Sequence, residues 1–208
     1  VEPEPGCVLD TLADAVGWLA GRVEPDVIGI CLDTCHLAVS FADPAAEIGR
    51  IAAAGLSVVK VQASAALQVE HPGTPEARAA LAQFAEPRYL HQVRELAADG
   101  TVLAADDLPD ALDTLPGDGP WRVHFHVPLH ERVAAPLDAP PDAPLSSTTD
   151  VLTAALAALG DQRPYVEVET YTWSVLPGGR TEQDVIDGIA AELSWAARAL
   201  ARPMEVCN

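Results

Sequence analysis

Residues 27–36 read VIGICLDTCH, an apolar run that ends in an acid followed three positions later by a histidine. Val27, Ile28, Ile30 and Leu32 suit a strand covered on its outer face. Side chains alternate along a strand, so Gly29, Cys31 and Asp33 share the other face. His36 follows in the loop, where a chain leaving a strand end can turn it back toward Asp33. An Asp and a His in that relation suit a divalent metal or a proton-transfer pair.

Three more stretches repeat the pattern of a strand with polar residues on one face. In 56–63, LSVVKVQA, alternation sets Val59 and Val61 against Lys60, Gln62 and Ser64. Polar groups on an inward face need partners, and Lys60 pairing with a core carboxylate would satisfy that need. In 121–129, WRVHFHVPL, His124 and His126 share a face and can both reach one metal cluster. In 165–171, YVEVETY, Glu167 and Glu169 share a face. If they point inward they repel unless a cation or proton lies between them, and a wet edge strand is the alternative. The opening residues, VEPEPG, read as a strand end running into a turn. Glu2 and Glu4 alternate with Pro3 and Pro5, so their carboxylates can share one face, although a solvated acidic terminus fits the same residues.

Helical spacing places helices over 7–20, 44–54, 75–84, 107–115 and 181–200, and a further one from a cap at Thr148, Thr149 or Asp150 through Leu159. Asp99-Gly100 between two half-apolar runs predicts a hairpin over 89–104. Residues 136–147, rich in Pro, Asp and Ala, read as a long loop that acts as a lid or a spacer.

With 208 residues, 49% of them hydrophobic, the chain can bury the core of a single large domain spanning 1–208. No run approaches the ~20 apolar residues of a membrane span. A formal charge of −19, from 31 acids against 12 bases, opposes nucleic acid and anionic lipid surfaces. The four cysteines, Cys7, Cys31, Cys35 and Cys207, are too few and too scattered for a disulfide scaffold, so the expectation is reduced thiols in a cytoplasmic protein.

Strand then helix, repeated, predicts parallel βα units, and the polar residues gather at the C-terminal ends of the strands. That is where (β/α)8 barrels assemble their sites. Four strands and a strand stub make about half of such a barrel, whose usual length is ~250 residues. The fold expected is therefore α/β, the C-terminal half of a (β/α)8 TIM barrel with a hairpin excursion and a Pro-rich loop. The N-terminal half is expected to precede Val1. An open flavodoxin-like sheet is the alternative, but no Gly-rich phosphate loop follows any strand.

Taken together, the chain resembles the xylose isomerase-like TIM barrel family of sugar (phosphate) isomerases, epimerases and endonuclease-IV-type enzymes. The residues carrying the resemblance are Glu2 of EPEPG, with Glu4 as a substitute, Asp33 and His36 of LDTCH, His124 and His126 of HFH, and Glu169 of EVET, with Glu167 behind it. The family often offers His or Asp where this chain has Gln62. More narrowly, EPEPGC, CLDTCH, KVQASAAL, HFHVPLH and EVETYTWSVLP resemble the EboE-type metabolite traffic proteins. The resemblance implies a divalent metal, Zn or Mn before Mg, held by Glu2, Asp33, His36, His124, His126 and Glu169. It implies proton exchange on a sugar-like small molecule by Glu2 and Glu169, with Lys60 stabilising a developing oxyanion. Glu4, Gln62 and Glu167 are left to line the substrate. A noncatalytic metabolite-binding barrel is the second reading. Metal-dependent phosphodiester cleavage is a third, disfavoured by the charge.

Overall fold

The structure is a computed structural model, and it describes residues 1–130 and 145–201. The described elements run α1 (Leu12–Leu19), β1 (Ile30–Asp33), α2 (Thr34–Val39), α3 (Pro44–Ala53), β2 (Val58–Ala63), β3 (Leu67–Val69), α4 (Pro75–Leu81), β4 (Val93–Leu96), β5 (Val102–Ala105), α5 (Leu108–Thr114), β6 (Trp121–Val123), β7 (Leu145–Ser147), α6 (Thr149–Ala158), β8 (Tyr165–Val168) and α7 (Glu182–Ala201).

Local chemistry sets most of the helix starts. Thr11 and Asp14 form a reciprocal capping box on α1. Asp43 caps α3 and Thr74 caps α4, each followed by Pro at the first helical position. Gly55, at φ +72°, follows α3 where the chain must turn left-handed. α6 departs from expectation: the Thr148 hydroxyl accepts from Ala66 N at 2.8 Å and makes no cap bond. It spends its oxygen joining α6 to the segment between β2 and β3.

The mixed α/β class holds, with two sheets among the described residues. The first is parallel, in the order β1-β2-β8. The second is antiparallel, in the order β5-β4-β6-β3-β7, and contains the expected hairpin as β4–β5. Neither sheet closes into a barrel among the described residues. The expected parallel pairing is seen in β1, β2 and β8, and the strand expected over 121–129 instead joins the antiparallel sheet. Hydrophobic alternation fixes which face a side chain takes but not which strand lies beside it, or in which direction.

Three further expectations change. The strand predicted over 121–129 is paired only at Trp121–Val123, antiparallel to β3 and β4. Beyond it His124 N donates to Gln92 O at 2.8 Å and Val127 N to Ala65 O at 2.9 Å, so His124 and His126 sit on an irregular segment crossing from one sheet toward the other. Val27 is 81% exposed and precedes β1, so the outer-face burial begins only at Ile30. His36 lies on α2 and not in a loop, because Asp33 caps that helix directly at the end of β1. Most of the Pro-rich stretch expected at 136–147 lies outside the described residues, and its last three residues are β7.

Two apolar cores result among the described residues. One joins the antiparallel sheet to α4 and α5 through Leu67, Leu81, Leu108, Trp121 and Phe125. The other joins β1 and β2 to α1, α3 and α6 through Leu19, Ile30, Leu32, Ile51 and Val61. Leu156 and Val166 pack against both. The site lies where the two sheets meet.

Candidate metal and proton-transfer site

Asp33 is the hinge of the site. It is 2% exposed, and its Oδ1 accepts from Cys35 N (2.7 Å), His36 N (3.1 Å) and the Ser64 hydroxyl (2.7 Å). One oxygen therefore caps α2 and binds the strand-end serine, while Oδ2 faces the cluster. Burial alone would raise its pKa. The charges of His36 and His126, with hydrogen bonds from Ser64 and Glu169, outweigh it and hold the carboxyl below the usual carboxylate range.

Three histidines stand beside it. His36 Nδ1 lies 3.0 Å from Pro3 O, His124 Nδ1 2.8 Å from Gln92 Oε1, and His126 Nδ1 2.7 Å from Glu169 O. Carbonyl oxygens only accept, so each Nδ1 carries a proton and each Nε2 is turned into the cluster. His36 Nε2 and His124 Nε2 are 3.1 Å apart. His126 Nε2 is buried with no hydrogen-bond partner and lies 3.9 Å from Asp33 Oδ2. Burial, joined by the neighbouring imidazoles, holds His124 well below the ordinary histidine pKa. Burial also lowers His126, against the pull of Asp33. Neutral imidazoles with Nδ1–H fixed on oxygen and Nε2 free are the form that binds metal.

The carboxylates gather on the other side. Oxygens of Glu2, Asp33 and Glu169 lie within 4.8 Å of one another. Gln62 Nε2 donates to Glu2 Oε1 (3.0 Å), to Asp33 Oδ2 (3.1 Å) and to Glu169 Oε2. Burial, a hydrogen bond with Asp33 and the charge of Asp33 push Glu169 up to about 7, despite the Gln62 contact. Burial and Asp33 also raise Glu2. Ligand atoms within the same 4.8 Å limit also group Asp33 with His36 and His126, Glu4 with His36 and His124, and Cys35 with His124 and His126.

The structure thus brings Glu2, Glu4, Asp33, His36, Gln62, His124, His126 and Glu169 together. Lys60 and Glu167 form an ion pair, Nζ to Oε2 at 2.6 Å, on the half-exposed edge where β8 pairs with β2, and Lys60 reaches the cluster only through a 3.2 Å bond to Gln62 Oε1. The pairing alternative for Lys60 is the one observed, with an edge carboxylate. Sequence reasoning missed the groups that orient the ligands: the Pro3 carbonyl, Gln92, and Ser64 in its bond to Asp33. It also missed Glu192, fully buried on α7, which accepts from Leu129 N (3.0 Å), Thr170 Oγ1 (2.7 Å) and Trp173 Nε1 (2.6 Å). These bonds pin the segments that carry His126 and Glu169. A buried acid in an amphipathic helix is the signal that could have marked it. Cys35, wholly buried beside His124 and His126, reads from sequence only as a small apolar thiol.

No protein-family model, curated protein or solved structure matches the chain. What stands on the fold and site is a mixed α/β protein with buried His, Asp and Cys groups able to hold a metal ion. No helix among the described residues is long and apolar enough to cross a membrane.

Proposed function

We propose that the chain carries the site of a metal-dependent isomerase or epimerase acting on a small sugar-like molecule such as a sugar phosphate, within a xylose isomerase-like barrel of which these residues form the C-terminal half. The observation that carries the reading is the convergence of three imidazole Nε2 atoms and Asp33 beside Glu169, a carboxyl pushed up to about 7. The parallel strands β1, β2 and β8 support the barrel reading, because Asp33, Gln62 and Glu169 all lie at their C-terminal ends.

The donor set fits a divalent ion. His126 Nε2 is buried without a hydrogen-bond partner, and the Nε2 atoms of His36 and His124 lie 3.1 Å apart. Mixed nitrogen and oxygen donors suit Zn or Mn better than Mg. Asp33, His36 and His126 would hold the ion, with His124 adjacent, and it would polarise a carbonyl and the neighbouring hydroxyl. Glu169, titrating near neutrality, takes the proton from the hydroxyl-bearing carbon to give an enediolate and returns it to the former carbonyl carbon, while the hydroxyl proton passes to the former carbonyl oxygen. Gln62 holds Glu169 and Glu2 on the substrate side of Asp33. The ammonium of Lys60, already paired with Glu167, orients the Gln62 amide at 3.2 Å, and any help it gives to an oxyanion is secondary to that.

The test is solvent exchange. Full-length protein loaded with Zn or Mn is incubated in D2O with a panel of aldoses, ketoses and their phosphates, and proton NMR follows deuterium entering at C1 or C2. The expected result is exchange into at least one compound, abolished in Glu169→Gln with the fold retained. A bound metal with no exchange in any compound would overturn the catalytic reading in favour of a metabolite-binding barrel. That second reading has its own support, since the Gln62 amide fills the point on which the carboxylates converge.

A further inference from the structure

We infer that Gln62 closes the carboxylate half of the cluster to metal and confines the ion to the histidine half, so that the protein holds one divalent ion where its donor set has room for two. This rests on the metal reading above and adds a role for the one position at which the sequence departs from the family pattern.

The argument starts from what an amide can do. Gln coordinates a cation only through its oxygen; its NH2 is a pure donor. Here the NH2 end is turned into the carboxylates, toward Glu2, Asp33 and Glu169. The position those oxygens surround, where a cation would balance their charge, is filled by a nitrogen that cannot ligate.

Turning the amide over would offer its oxygen, but the opposite end is tied down. Gln62 Oε1 accepts from the Cys31 thiol at 2.9 Å and from Lys60 Nζ at 3.2 Å. After a flip the NH2 would face two donors, one of them a cation, and both of those bonds would be lost. Lys60 is itself fixed by Glu167 at 2.6 Å. Gln62 is 5% exposed, so water has little access to replace the lost partners.

The histidine half has no such plug. His126 is 1% exposed, and its Nε2 points into the cluster with no partner. His36 Nε2 and His124 Nε2 are turned toward each other, and Asp33 Oδ2 lies 3.9 Å from His126 Nε2. An ion entering there displaces no hydrogen bond of Gln62 to Glu2 or Glu169.

The experiment measures Zn per chain in full-length protein by elemental analysis after equilibration with micromolar Zn and gel filtration. It compares the parent with Gln62→His, Gln62→Ala, His126→Ala and Glu169→Gln, each first checked for native circular dichroism. The expected result is one Zn in the parent, retained in Glu169→Gln, lost in His126→Ala, and rising to two in Gln62→His and Gln62→Ala. Two Zn in the parent would overturn the inference and leave the metal reading standing. So would one Zn that is lost with Glu169 and kept without His126, or one Zn unchanged in both Gln62 variants. No Zn in any of the proteins would sink the metal reading itself, and the inference with it.

Discussion

His36 Nε2 and His124 Nε2 face each other at 3.1 Å while the far nitrogens of both rings are anchored on oxygens, Pro3 O and Gln92 Oε1. A proton on one ring, or a metal ion taking its place, can join the two nitrogens in that relation. Pro3 supplies a backbone carbonyl, which no side-chain substitution removes. Gln92 can be removed. In Gln92→Leu the His124 ring loses its Nδ1 acceptor, and with it both its tautomer and its orientation. Zn affinity, measured by competition with a chelating dye, is expected to fall about 10–100-fold. Zn affinity equal to the parent's would show that His124 is not held for metal.

Glu169 gives a pH dependence with a definite sign. Its folded pKa is raised to about 7 from an ordinary 4.5, by burial first and by Asp33 second. A carboxyl raised on folding contributes stability below its unfolded pKa and loses it as pH rises through the folded value. Between pH 4.5 and 7 this group therefore costs the metal-free protein stability progressively. Glu169→Gln keeps an oxygen for the Gln62 amide and a donor for Asp33, and removes the titration. Thermal denaturation without metal should show Glu169→Gln melting above the parent at pH 8, with the gap closing by pH 4. An equal gap at both pH values would rule out Glu169 as the source.

The ligands were more legible in the sequence than the frame that holds them. Asp33, His124, His126 and Glu169 are readable because strand alternation puts them on common faces, and that periodicity survives even where the strand is irregular, while His36 is readable from its place three residues after Asp33. Strand direction was not readable. Leu67–Val69 has only three residues, too short to show a period, yet it pairs on both sides and makes the second sheet antiparallel. The dual use of Asp33 was hidden too. A helix starting directly at a strand's last residue leaves no loop signature, so His36 looks like a loop residue until the cap bonds from Cys35 N and His36 N are seen. Orienting groups such as Gln92 and Glu192 act through tertiary hydrogen bonds, for which spacing along the chain carries no mark.

Glu95 is another acid of this unmarked kind, and it serves the fold rather than the site. It is 1% exposed in β4, and accepts from Gly117 N (2.9 Å), Asp118 N (3.0 Å), Gly119 N (3.1 Å) and Trp121 Nε1 (2.8 Å). Burial pushes its carboxyl up, but these four donors prevail and hold it below the usual range. A carboxyl depressed on folding stabilises above its unfolded pKa of 4.5 and loses that contribution as pH falls toward the folded value. Glu95→Ala strands several buried donors at once. The cost expected at pH 7 is about 3 kcal/mol, read from urea denaturation, with a smaller difference from the parent at pH 3. A variant as stable as the parent at pH 7 would mean that water replaces the carboxylate.

Gly188 on α7 tests whether the helix seats as closely as the structure describes. A Cβ added there would meet Cζ2 and Cζ3 of Trp173, both at 2.5 Å, and that ring is 4% exposed. The indole cannot simply swing away, because its Nε1 is bonded to Glu192 at 2.6 Å. Gly188→Ala must therefore lift α7 or break the Glu192 network that also holds Leu129 and Thr170. The expected loss is about 1–3 kcal/mol, roughly 2–10 °C in melting temperature for a chain of this size. Gly49, within α3, has nothing within 4 Å of its added Cβ, so Gly49→Ala should be neutral or stabilising by about 0.5–1 kcal/mol. The two variants make the same chemical change in two helices, and only packing separates them. If both stabilise, α7 does not sit against Trp173 as placed, and the anchoring of Glu169 through Thr170 and Glu192 fails with it.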